Sequence, residues 1–225
     1  MLVPLSLVDL FTSSYSNADV NGWRKHYEEE VACRVAVPSK VLSQELWQAY
    51  QQLCIEEIRS AYIFAARLAY GRSPVELALI TDASLRDNMG VSERLPMKQF
   101  IKQLQGLGQV WVVSSSHCDI VRVIAHRYQI PSHQVIGIDF IRTPEQNIYT
   151  DQLVTPAPIS SEKVDAYRQY QDEAPALMVG DSRHDLPLMS YAQSALLIDH
   201  HQSDDLSQSA REIDALMVSA EDVSD

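Results

Sequence analysis

The 225-residue sequence predicts an α/β protein with an all-helical stretch near its start. Three observations carry this. From residue 90 onward, short apolar runs at 110–113, 135–138, 176–179 and 194–198 alternate with helix-patterned segments. That is the grammar of buried strands joined by crossover helices. Residues 14–89, by contrast, read as mostly helical, and residues 5–8 give a short apolar strand ahead of them.

The elements follow in order. Residues 5–8 close on Asp9, and small hydroxyl residues come next. Asn17 or Asp19 caps a first helix carrying Trp23, His26, Tyr27 and Glu30, and Pro38 interrupts it. A long helix is expected from Ser43 through Ala69. Its apolar residues Leu46, Tyr50, Leu53, Ile58, Tyr62 and Ala65 fall at spacings of three and four, and Gly71 ends it. Ser73-Pro74-Val75-Glu76 opens a third helix, with a hydroxyl cap, Pro at the first position and Glu at the third. That start places Asp82 inside a helix, against the rival reading of 79–84 as a strand ending in a catalytic Asp.

Pro96 starts a helix that runs through Gln105 and ends at Gly106 and Gly108. The strand at 110–113 leads at once into Ser114, Ser115 and Ser116. A helix from about Asp119 to Tyr128 and the strand at 135–138 follow, with His117 expected in the helix's first turn. Residues 141–175 read as a loop or hairpin carrying Pro156 and Pro158, then a helix opened by Ile159-Ser160-Ser161-Glu162-Lys163. After the strand at 194–198, a polar, acidic segment has helical pattern from 203 to 220. His200 and His201 point apart as sequence neighbours and read as a surface turn, not a metal pair.

Composition narrows the function. Net charge is −12 and hydrophobic content 46%, so a sizeable core is expected. An acidic surface argues against nucleic acid and anionic membranes as partners. Cys33, Cys54 and Cys118 are odd in number and scattered, which suits free thiols in a reducing compartment. No apolar run has the length of a membrane span, and the first residues make a poor signal peptide, so a cytoplasmic protein is expected. Gly-x-Gly-x-x-Gly, the P-loop and His-Glu-x-x-His patterns are absent.

The chemistry gathers at residues 176–189. A buried strand is broken by Gly180, and Asp181 and Asp185 follow four residues apart. A turn from Ser182 would bring both carboxylates to the strand's carboxyl end, where open α/β sheets place ligands. Two acids there suit a hard cation such as Mg²⁺. The same residues also suit a plain strand, turn and solvated helix start. At 112–116, a strand ending in serines at a helix N-terminus makes a natural phosphate cradle.

Gly180, Asp181, Ser182, Asp185 and Met189 resemble the fourth motif of the haloacid dehalogenase superfamily, in its phosphoserine and phosphorylcholine phosphatase-like branch. Residues 112–137 are similar to that group's second motif, and Lys163 to its third. Asp9-Leu10-Phe11-Thr12-Ser13 resembles the first motif, with Phe11 where the family has its second Asp. The motifs come in the family's order and span nearly the whole chain.

The resemblance implies a three-layer, parallel α/β core over 1–13 and 90–225, with a helical cap at 14–89 inserted after the first strand. Trp23, Arg24, Tyr27, Trp47, Arg59 and Tyr62 are candidates to line the cap. It implies a Mg²⁺-dependent phosphatase acting on a small phosphate ester. Asp9 would be the nucleophile, and Asp9, the Phe11 carbonyl and Asp181 the metal ligands. Ser114, Ser115 and Lys163 would hold phosphate, and Asp185 would orient Lys163 or a metal-bound water. Phe11 cannot protonate a leaving group, a transfer typically worth about 10²–10⁴ in rate. Two alternatives follow: a phosphate- or protein-binding module, or a dehalogenase-type hydrolase acting at carbon.

Overall fold

A computed structural model describes residues 40–86, 95–199 and 204–219. Asp9, Phe11, Trp23, Arg24, Tyr27 and the elements expected around them lie outside the described residues, as do His200 and His201. The chain divides into two compact units.

The first unit holds the described part of Met1–Ser92 with Ser116–Val123 and Ile138–Thr155. Its helices are α1 (Lys40–Glu56), α2 (Ile58–Arg67) and α3 (Pro74–Arg86). One long helix was the expectation for the first two; instead Glu57, in the position just before α2, takes an extended backbone, φ −156° and ψ 100°. Amphipathic spacing survives such a break, because each half keeps its own apolar face. The cap of α3 is a reciprocal box: Glu76 N–H donates to Ser73 Oγ at 3.2 Å, and Ser73 N–H to Glu76 Oε2 at 2.8 Å. Asp82 therefore sits mid-helix, paired with Arg86 at 3.2 Å.

A hairpin completes this unit. Strands β3 (Phe140–Arg142) and β4 (Tyr149–Leu153) pair antiparallel, so of the loop or hairpin expected here the hairpin is found. Gly71 N–H donates to the Tyr149 carbonyl and Tyr149 N–H to the Arg72 carbonyl, each at 2.9 Å. Those two bonds run the turn after α2 alongside β4. They need Gly71 at φ 72°, a left-handed conformation that glycine adopts without a Cβ penalty.

The second unit holds Glu93–Ser115, Ile124–Gly137 and the described part of Pro156–Asp225. Helix α4 (Leu95–Leu107) precedes β1 (Val112–His117), which pairs with β2 (Val135–Ile138). Helix α5 (Cys118–Arg127) lies between β1 and β2 in the chain. Then come α6 (Glu162–Arg168), β5 (Met178–Gly180), a 3₁₀ turn (Arg183–Asp185), α7 (Leu186–Tyr191), β6 (Ala195–Asp199), α8 (Asp204–Glu212) and β7 (Leu216–Ser219). Strands β5, β6 and β7 form one parallel sheet in that order, Gly180 opposite Leu197 and Asp199 opposite Ser219. Parallel pairing needs the helical crossovers that α7 and α8 supply. The expected α/β class is observed.

Three local expectations are corrected. The serines do not follow the strand: Ser114, Ser115 and Ser116 lie within β1, and His117 ends it instead of entering the helix. Pairing with β2 supplies backbone partners that outweigh the turn preference of serine. Gly180 is the last residue of β5, not its breaker. Finally, the helix at 203–220 stops at Glu212. Asp214 turns left-handed at φ 53°, Ala215 N–H closes on the Ala210 carbonyl at 2.9 Å, and the next residues join the sheet as β7.

Apolar packing sets the position of α6. Ala166 and Tyr167 are buried with Ile136 of β2 and Leu188 of α7, against Trp111, Val113 and Met178. A buried Ile or Leu, such as Ile136 or Leu188 here, contributes about 1.5–3 kcal/mol. A second cluster, Met189, Ala195, Leu197 and Ala210, fastens α7 and α8 to the sheet. Among the described residues no helix is long and apolar enough to cross a membrane.

Candidate functional site

The site is built where β5 ends. Asp185 closes the 3₁₀ turn that follows, and Lys163 stands in the first turn of α6. Their side chains meet with Nζ 2.6 Å from Oδ1, although 22 residues separate them. Lys163 is 5% exposed and Asp185 6%. Buried charges of this kind persist only when paired and hydrogen-bonded.

Asp185 is satisfied on its second oxygen too. Oδ2 accepts from Ser182 Oγ at 2.7 Å, Ser182 N–H at 3.1 Å and Asp181 N–H at 3.2 Å. Ser182 and Asp185 form a capping box, which the Ser-x-x-Asp spacing encodes locally. Burial alone would push the Asp185 carboxyl up. The Lys163 ammonium and these donors outweigh it and hold the group below the ordinary carboxylate range.

Gly180 makes the approach feasible. A Cβ there would lie 2.6 Å from Asp185 Cβ and 3.0 Å from Met189 Sδ. Glycine in this strand marks a close approach of another chain segment.

The structure separates the roles of the two acids. Both follow the strand's carboxyl end: Asp185 is buried against Lys163, while Asp181 is exposed directly after β5. No group of three His, Cys, Asp or Glu side chains among the described residues could hold a metal ion. Asp181 offers a carboxylate that fits a hard divalent cation, and the two other ligands the resemblance implies, Asp9 and Phe11, are outside the described residues.

The serines also part. Along β1, Ser115 and His117 are buried while Ser114 and Ser116 are half-buried, the two-residue alternation of a strand. Ser114 and Ser115 thus face opposite sides. Ser115 Oγ donates to the Pro158 carbonyl at 2.9 Å, tying β1 to the segment that leads into α6. A third tie is Ser160 Oγ to His184 Nδ1 at 2.9 Å. Ser160 holds φ 54°, a left-handed backbone uncommon outside glycine. Burial lowers the His184 pKa first, and the Lys163 charge adds to that. No sequence pattern joins Ser160 to His184, so neither was a candidate. Ser182 was quoted only as a motif residue, although its capping role was readable.

Of the residues nominated in the helical segment, Trp47 is exposed on α1 and stacks on Tyr50 with ring centroids 5.5 Å apart. Arg59 and Tyr62 are half-buried on α2.

Comparisons with known proteins agree with this architecture. No curated protein sequence matches. A crystal structure of a protein with unknown function from Bordetella pertussis Tohama I is similar at a TM-score of 0.68 and 17% identity, covering 85% of this chain and 87% of that one. A phosphoserine phosphohydrolase-like protein from Francisella tularensis subsp. tularensis SCHU S4 is similar at 0.54 and 10% identity, covering 87% of each. Both are likenesses of fold. The model of the haloacid dehalogenase-like hydrolases matches residues 17–190, a span that includes Ser114, Lys163, Asp181 and Asp185 and begins after Asp9 and Phe11. The chain belongs to the haloacid dehalogenase-like hydrolase family.

Proposed function

We propose that this hydrolase is a Mg²⁺-dependent phosphatase that acts on a small phosphate ester through an aspartyl-phosphate on Asp9. The buried Lys163–Asp185 pair beside Asp181 carries the reading. A lysine with its stem packed away and its ammonium fixed by a carboxylate is a preorganised positive charge, the kind that stabilises developing negative charge on phosphoryl oxygens. Asp185 orients it and accepts from Asp181 N–H, so the two acids are coupled through the turn.

Asp9, the Phe11 carbonyl and Asp181 would hold Mg²⁺. When bound, the ion supplies charge neutralisation between nucleophile and phosphoryl group. Ser114 is the serine of the cradle proposed to touch phosphate. Ser115, whose proton is engaged with Pro158, braces the cradle and contributes a backbone N–H. Residues 14–89 are proposed as the cap that selects substrate, and the protein is proposed to work in the cytoplasm.

Phe11 sets the substrate range. Without a proton donor there, leaving groups of low pKa are favoured over alkyl alcohols. The same residue favours a second reading, a phosphate-binding member without turnover. The carboxylates at 181 and 185 speak against dehalogenation at carbon, which needs no metal.

One experiment separates these readings: p-nitrophenyl phosphate with and without Mg²⁺. Mg²⁺-dependent turnover, abolished in Lys163→Met, is expected. A folded protein that binds Mg²⁺ and phosphate but releases no p-nitrophenolate would establish the binding module instead.

A further inference from the structure

We propose that Ser160 and His184 are positioning residues for Lys163. Together they form a second bridge, beside the Lys163–Asp185 ion pair, that fixes where the ammonium stands. The assignment deepens the phosphatase reading above, on which the role of Lys163 rests.

Two segments of the second unit meet at this point. One is the stretch 157–162 that leads into α6 and delivers Lys163; the other is the 3₁₀ turn Arg183–Asp185. They are joined twice. Ser160 Oγ and His184 Nδ1 lie 2.9 Å apart, and Lys163 Nζ and Asp185 Oδ1 2.6 Å. His184 and Asp185 are consecutive, while Ser160 stands three residues ahead of Lys163. The Ser160–His184 bridge ties the two backbones whichever partner carries the proton.

The bridges constrain different things. A lysine reaches its partner over a flexible four-carbon stem. Its ion pair holds ammonium to carboxylate, but the stem can take up a shift of the backbone that carries it. Serine and histidine are short, so a hydrogen bond between them sets the separation of the two segments themselves. With that separation set, the stem has little slack and Nζ has one place to stand. Placement of this kind matters in a site, where a misplacement of about 1 Å can cost about 10²-fold in rate.

The delivering stretch is fastened on both sides of Ser160. Ahead of it, Ile159 is buried and the Pro158 carbonyl accepts from Ser115 Oγ at 2.9 Å. Behind it, Lys163 N–H donates to the Ser160 carbonyl at 3.1 Å. Between them Ser160 takes φ 54°, in the left-handed region that residues other than glycine seldom adopt. Such conformations persist where the surrounding structure over-determines them. Here the result is a hydroxyl directed at the imidazole.

The test reads lysine position and turnover separately in Ser160→Ala, His184→Ala and His184→Asn. Position is read by limited acylation with acetic anhydride, each lysine quantified by peptide mass spectrometry against the exposed Lys102. Lys163 is buried and paired, so the wild type should label it far more slowly than Lys102. In both alanine variants its relative labelling should rise about 10-fold, under conditions where urea unfolding shows them folded. His184→Asn should keep Lys163 protected, because the amide carries a polar atom about as far from the backbone as Nδ1. On p-nitrophenyl phosphate with Mg²⁺, kcat should fall about 10-fold in the alanine variants with KM little changed, and His184→Asn should recover most of it. The His184→Ala and His184→Asn pair carries the test should Ser160→Ala not fold. Unchanged labelling in the alanine variants, or equal labelling in His184→Ala and His184→Asn, would overturn the assignment while leaving the phosphatase reading in place. The expected labelling pattern in a protein that releases no p-nitrophenolate would uphold the bridge and overturn the phosphatase reading.

Discussion

Lys163 and Asp185, on separate elements of the second unit, bury opposite charges against each other with 2.6 Å between Nζ and Oδ1. The pair is oriented from both sides. Apolar packing of Ala166 and Tyr167 fixes the lysine's helix, and the Ser182 capping box fixes the carboxylate. Its geometry thus depends on helix packing and turn capping as well as on the pair itself.

Removing one partner should be costly. Asp185→Ala leaves an ammonium buried without its counter-charge, and a loss of about 3–5 kcal/mol in urea unfolding is expected. The double variant Lys163→Met/Asp185→Leu should recover most of that stability, because apolar replacement of a buried pair is often neutral, yet it should remain inactive. The Asp185 carboxyl titrates below its ordinary 3.8 in the folded chain. Its stabilisation is therefore complete above that value and is lost as pH falls through the folded pKa.

A methyl group at residue 180 should be felt at residue 185. In Gly180→Ala the new Cβ meets Asp185 Cβ at 2.6 Å, inside any normal contact. Overpacking of about 1–3 kcal/mol is expected. Since the displaced carboxylate holds Lys163, activity should fall more than stability alone accounts for, measured as kcat at a temperature where the variant is fully folded.

His117 gives the first unit an acid sensitivity of its own. It is 1% exposed, packed against Tyr149 with ring centroids 4.6 Å apart, and its Nδ1 accepts Asp119 N–H at 3.3 Å. Burial lowers its pKa from 6.5 to about 4. A folded state that resists protonation is fully favoured above pH 6.5 and loses stability as pH falls toward 4, by about 3 kcal/mol over that window. In His117→Phe that portion of the pH dependence should be absent from denaturation curves collected between those limits.

The sequence by itself determined whatever a few neighbouring residues can encode. The Ser73–Glu76 box started α3 and kept Asp82 in a helix, the alternation of apolar runs gave the α/β class, and the spacing of Asp181 and Asp185 marked the turn after β5. Such signals are legible because cap, period and spacing are local. Only the tertiary structure decided that Ser114 and Ser115 face apart, that Asp185 turns inward while Asp181 stays exposed, and that Ser160 meets His184. Those outcomes depend on pairing and packing partners 22 to 43 residues away. The strand of β7 is the same lesson in the backbone: Leu216 to Ser219 suit either period, and the neighbouring β6 made them a strand.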